Sequence, residues 1–112
     1  MYGNSYIVRL YSKEVYMVIA ETIILLLACH LIGDYVLQSA FIAETKGKNW
    51  YHLFVHCFLY SVPFFICFGL TWHLSIIFVA HMIIDTLKAR YDKINYWQDQ
   101  VLHYMTCLLY FI

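Results

Sequence analysis

Hydrophobic and polar positions fall in long blocks along this chain, not in the short alternations of a soluble fold. From Leu53 to Trp72 there is no Asp, Glu, Lys or Arg. An uncharged run of about 20 residues matches a hydrocarbon core of about 30 Å. A second apolar heart occupies 23–37, and polar breaks follow at Glu44-Thr45-Lys46-Gly47-Lys48-Asn49, at Gly69-Leu70-Thr71 and at Arg90-Tyr91-Asp92-Lys93-Ile94-Asn95. The pattern predicts helices over 15–43, 50–69, 72–89 and 96–112. The expected fold is all-α, an integral membrane four-helix bundle forming one domain over 1–112. Ser12 is the expected N-cap of the first helix, with Glu14 in its first turn and 1–14 as an interfacial segment. Pro63 is expected to bend the second helix without ending it. The last helix, at about 1.5 Å per residue, reaches only about 25 Å and barely spans.

Composition strengthens this picture. Hydrophobic residues make up 63% and charged residues 12%, where a soluble domain carries about 25% charge. Seven basic and seven acidic residues give zero net charge, which excludes an electrostatic footprint for nucleic acid. Cys29, Cys57, Cys67 and Cys107 lie scattered among apolar residues, without zinc-ribbon or Cys-x-x-Cys spacing, and read as free buried thiols. No short apolar segment ends in a cleavage-like run of small residues, so a signal peptide is not expected; Met17 is a credible alternative start.

Basic residues set the expected orientation. Lys46, Lys48, Lys88, Arg90 and Lys93 cluster at the first and third connections, against Arg9 and Lys13 on the other side. The positive-inside rule then puts 44–49 and 90–95 in the cytoplasm of a multi-pass inner-membrane protein. Trp50, Tyr51, Tyr91, Tyr96 and Trp97 form the inner aromatic belt, and Trp72 the outer one.

Ionisable residues inside the spans are costly, and here they are ordered. The first helix carries His30, Asp34 and Gln38 at four-residue spacing, and the second carries His52 and His56. The third has His81, Asp85 and Lys88; the fourth has Asp99, Gln100 and His103. Residues three or four apart share a helix face, so each helix presents a polar stripe that must turn from lipid toward its neighbours. Counting from the inner ends, Asp34 and His81 lie about 14 Å deep, His56 and His103 about 10–12 Å, and Asp85 and Asp99 about 6–8 Å. Four segments therefore agree in face and depth.

Imidazole and carboxylate are ligands of zinc, manganese and iron, and three aspartates near one lysine leave a deficit of positive charge. The set His30, Asp34, His56, His81, Asp85 and His103 is expected to hold one or two divalent ions, zinc above all. Asp99 is the expected general base, shallower and facing solvent, while Gln38, Gln100 and Lys88 orient a polar head group. The bland alternative is a hydrogen-bonded His–Asp network that fixes helix packing without an ion. His73 reads as interfacial, His52 as loop-proximal, Lys88 as snorkelling, Glu21 as a packing or oligomer contact on another face, and Ser39, Ser61 and Ser75 as ordinary helix residues.

The run His30-Leu-Ile-Gly-Asp34-Tyr-Val-Leu-Gln38, with Lys46-Gly47-Lys48, His56, His81-Met-Ile-Ile-Asp85-Thr-Leu-Lys88 and Asp99-Gln100-Val-Leu-His103, resembles a family of small bacterial and phage membrane proteins of unknown function. The resemblance covers every helix from about Ile24 onward and leaves out 1–16. More distantly, the His/Asp-bearing helices resemble inner-membrane proteins described as metal-dependent hydrolases. The first resemblance implies a membrane bundle with this site and no particular reaction; the expected partners are the lipid bilayer, a lipid-linked or membrane peptide substrate and a second copy of the chain in a homo-oligomer. The competing expectations are a proton- or metal-transport subunit and a structural or regulatory subunit of a membrane complex.

Overall fold

The computed structural model describes residues 2–112, so Met1 lies outside the described residues. Five α-helices and no strand occur among them. Helix α1 (Tyr2–Leu31) starts near the chain's beginning, not at residue 15. Ser12 is therefore no cap: it lies inside α1 and its Oγ donates to the Arg9 carbonyl at 3.0 Å. A serine cap contributes only about 1 kcal/mol, and beyond Gly3 no glycine or proline interrupts the chain before Gly33.

The first helix also ends earlier than 43. After Leu31 the backbone widens into a π-helical turn (Ile32–Val36), closed by the Leu37 amide donating to the Ile32 carbonyl at 2.9 Å. The chain then breaks, and Ser39, an expected helix-interior residue, caps α2 (Ala40–Thr45) by accepting from the Ile42 amide at 3.1 Å. Asn49 caps α3 (Trp50–Phe68), its side-chain oxygen accepting from the Tyr51 and His52 amides. This helix continues through the buried Pro63 and stops at Gly69, whose φ of 79° favours a residue without Cβ. Helix α4 (Trp72–Asp85) passes into a second π-helical turn (Thr86–Arg90). Asn95 and Gln98 form a capping box for α5 (Tyr96–Cys107), which tightens into a 3₁₀ turn (Leu108–Phe111).

Three stretches are long and apolar enough to cross a membrane: Asn4–Val36, Trp50–Phe68 and Trp72–Arg90. At 12 residues α5 is shorter than such a span. The molecule measures 66 × 26 × 23 Å, the long dimension set by α1, in which Leu26 is the first buried residue from position 4 onward.

Burial runs opposite to that of a water-soluble protein. Ile24, Phe58, Ile66, Val79, Ile83 and Met105 face outward, while His30, Asp34, His56, His81, Asp85, Asp99, Gln100 and His103 are buried. That distribution suits a lipid surround, where apolar surface carries no penalty and polar side chains must find partners inside. The interior is layered. Leu26, Cys29, Tyr60, Phe64, Ile77 and Cys107 form an apolar cluster, with Phe68, Leu74 and Tyr110 packed against it. The polar residues gather at the end nearer the 46–49 and 91–95 connections. All four cysteines are free, and three are buried.

Candidate metal centre

Two backbone distortions flank the site. Asp34 lies within the first π-helical turn and Asp85 immediately precedes the second. A π turn inserts an extra residue into the helical register and re-aims the side chains beside it. Gly33 lets the first turn approach α3: a Cβ there would meet the Tyr60 carbonyl oxygen at 2.8 Å.

Asp34, His56, His81 and Asp85 come together, each offering a ligand atom within 4.8 Å of every other. Within this group the His56 Nε2 atom is 3.4 Å from Asp34 Oδ1, 3.1 Å from Asp85 Oδ2 and 2.9 Å from His81 Nε2. Asp34, Asp99 and His103 form a second group by the same measure. All six residues are buried, three of them contributed by separate helices and the rest by their four-residue neighbours or the adjoining turn. The two groups share Asp34.

His30 stands outside both groups. Its Nε2 lies 3.0 Å from Gln100 Oε1 and its Nδ1 2.8 Å from the Tyr60 hydroxyl. Gln100 aims its amide nitrogen at two carboxylates, Asp34 Oδ2 at 3.3 Å and Asp99 Oδ2 at 3.0 Å. Its oxygen must therefore accept, so His30 donates from Nε2 and accepts the Tyr60 hydroxyl proton at Nδ1. Such a chain fixes carboxylate orientation from outside the site. Tyr60 also stacks on His81, with ring centroids 3.6 Å apart.

Asp99 is not the solvent-facing carboxylate expected of it. It is 2% exposed, holds Gln100 through Oδ2, and has the Lys88 ammonium 3.6 Å from that oxygen. Lys88 is thus turned inward, where its ammonium also lies 5.0 Å from the Tyr96 ring centre. Gln38, Lys46, Lys48, Lys88, Asn95 and Tyr96 line a polar cavity of about 440 Å³ on the same side. The hydroxyl of Tyr96, one of its lining residues, is hydrogen-bonded to that of Tyr35.

Lys46 is the residue whose place the sequence pattern did not suggest. Expected in a solvated loop, it is 9% exposed and donates to Asp85 Oδ2 at 2.7 Å. The loop is held down by Gly47, whose notional Cβ would collide with the Ala89 carbonyl, and by Arg90 donating to the Gly47 carbonyl at 3.4 Å. The only sequence cue was the glycine between two lysines.

The remaining polar residues take quieter places. His52 bonds Thr45 Oγ1 at 2.7 Å, and His73 stacks between Trp72 and Tyr110. Cys107 belongs to the apolar cluster, and Glu21 is exposed on α1.

A family model described as "Protein of unknown function (DUF3307)" matches residues 22–112. The chain belongs to that family. The match begins within α1 and includes every residue of the two groups, together with Lys46, Tyr60 and Gln100. The helical residues 2–21 precede it. No curated protein and no solved structure matches the chain.

Proposed function

We propose that this DUF3307 member is a four-span inner-membrane protein with a divalent metal ion, zinc above all, among Asp34, His56, His81 and Asp85, and that it is a metal-dependent hydrolase. The observation that carries the reading is four buried ligand-type side chains, from three elements, all within 4.8 Å of one another. Two imidazoles and two carboxylates are zinc ligands at about 2.0–2.2 Å each, and a fifth coordination position would be left for water. An apolar exterior supports the bilayer as surround, and the outward basic residues Lys48 and Lys93 support a cytoplasmic face for 44–49 and 90–95. Short α5 completes the bundle as a fourth span if its 3₁₀ turn is included.

The hydrolytic reading follows from access. The polar cavity ends beside Lys46 and Lys88, each of which reaches a carboxylate of the centre. A membrane-associated substrate can enter there with Gln38 and Lys88 against its polar group. A bound ion supplies a nucleophile by lowering the pKa of its water from about 15.7 toward about 7.

A second reading rests on the imidazole contacts. His81 Nε2 lies 2.9 Å from His56 Nε2, and His81 Nδ1 lies 3.2 Å from His103 Nδ1. Each contact suits a proton shared between rings, as in a metal-free packing network or a proton relay. Elemental analysis of protein purified without a metal-affinity tag separates the readings. The metal reading expects at least one transition-metal ion per chain, lost in Asp34→Ala and His81→Ala while the helical micelle-bound fold persists. Metal-free protein whose melting temperature ignores added zinc gives the network instead.

A further inference from the structure

Six buried side-chain atoms among the described residues have no hydrogen-bond partner, and two of them face each other: Asp99 Oδ1 and His103 Nε2, 3.3 Å apart. Both residues are at most 2% exposed. A buried carboxylate oxygen and a buried imidazole nitrogen without an aligned hydrogen bond need a positive charge between them, either a proton on His103 or a cation held by both. We infer a second divalent-cation site formed by Asp99, His103 and Asp34, sharing Asp34 with the first so that one carboxylate bridges two ions. The inference rests on the metal reading above and extends it from one ion to two.

Asp34 has the geometry of a bridge. Its Oδ1 faces the first group, 3.4 Å from His56 Nε2 and 3.9 Å from His81 Nε2. Its Oδ2 faces the other way, 3.3 Å from the Gln100 amide and 3.9 Å from His30 Nε2. Gln100 joins the outer oxygens of Asp34 and Asp99, which leaves Asp99 Oδ1 turned inward. His103 Nε2 also lies 3.4 Å from Asp85 Oδ1, so the far oxygen of the first group's other carboxylate points at the second site as well. Two ligand atoms 3.3 Å apart, each about 2.1 Å from an ion, subtend about 104°, close to tetrahedral.

Charge bears on the substrate. Asp34, Asp85 and Asp99 stand against the ammonium groups of Lys46, 2.7 Å from Asp85, and Lys88, 3.6 Å from Asp99, so two divalent ions would leave the centre with a positive excess that an anionic substrate group would offset. Lys46 touches a carboxylate of the first site and Lys88 one of the second. Paired ions about 3.5–4 Å apart serve phosphoester and peptide hydrolysis alike, and the positive excess favours the anionic phosphoester as the substrate class, reached through the polar cavity.

The test uses full-length protein in detergent micelles, stripped with chelator and dialysed against Mn(II) or Zn(II). Wild type is expected to bind two ions per chain, and two Mn(II) ions bridged by Asp34 give an exchange-coupled paramagnetic resonance spectrum. Asp99→Asn and His103→Gln are each expected to retain one ion and the spectrum of isolated Mn(II). One ion in wild type, with no coupling, overturns the second site and leaves the first standing. No ion in wild type overturns both. Should either variant fail to yield monodisperse helical protein, wild-type stoichiometry and coupling decide the matter by themselves.

Discussion

The ammonium of Lys46 lies 2.7 Å from Asp85 Oδ2, and any cation placed among Asp34, His56, His81 and Asp85 shares that oxygen with it. Lysine and metal are then competitors for one carboxylate. Lys46→Gln keeps a hydrogen-bond donor but removes the charge, so the ion meets less repulsion and finds Asp85 unneutralised. Zinc affinity is expected to rise at least about tenfold, equivalent to about 1.4 kcal/mol, measured by competition with a chromophoric chelator. Without metal the same variant is expected to melt lower, because removing one partner of a buried ion pair costs about 3–5 kcal/mol. Unchanged affinity would remove Lys46 from the ion's surroundings.

Among the elements, the two π-helical turns and the break at Leu37–Ser39 do most to position the site. The first turn depends on close approach, since Gly33 packs where a Cβ would lie 2.8 Å from the Tyr60 carbonyl and 2.9 Å from its ring. Gly33→Ala therefore has to push α1 from α3 beside Asp34. Overpacking of this kind costs about 1–3 kcal/mol, and thermal unfolding in micelles should register it as a lower melting temperature. Asp34 moves with the helix, so metal occupancy should fall as well. Full stability and full metal content in Gly33→Ala would show that the approach is dispensable. The break matters because it lets α2 fold back against α3, bringing Lys46 over Asp85 where a helix running straight to residue 43 would carry it away.

The whole molecule is layered along its length, with an apolar cluster around Phe64 and a polar layer nearer the 46–49 and 91–95 connections. Lys48 and Lys93 are exposed at that polar end, so cysteines there report its side of the membrane. In intact cells Lys48→Cys and Lys93→Cys are expected to resist a membrane-impermeant thiol reagent and to react after permeabilisation. Labelling of both from outside would invert the topology, and labelling of only one from outside would mean that the two connections lie on opposite faces. Native Cys29, Cys57 and Cys107 are buried; Cys67 is exposed on the apolar surface and is the one to replace beforehand.

Helix existence, the apolar exterior and the convergence of polar stripes were legible in the sequence because each depends on local pattern: uncharged runs of spanning length, and His, Asp and Gln at three- or four-residue spacing. The breaks at Gly69 and Asn95 were equally local. Ser12 and Ser39 were read the wrong way round, because cap propensity is small beside what the neighbouring chain packs against. Which stripe residue does what was not local at all. His30 and His56 look alike in sequence, yet Tyr60 and Gln100 take both nitrogens of one, while Asp34 and Asp85 surround Nε2 of the other. Lys46 reads as a solvated loop charge until α2 turns the loop back over Asp85. Periodicity fixes the face of a helix and the depth of a residue, but the partner of a buried charge is set by neighbouring helices, and only the tertiary structure decides it.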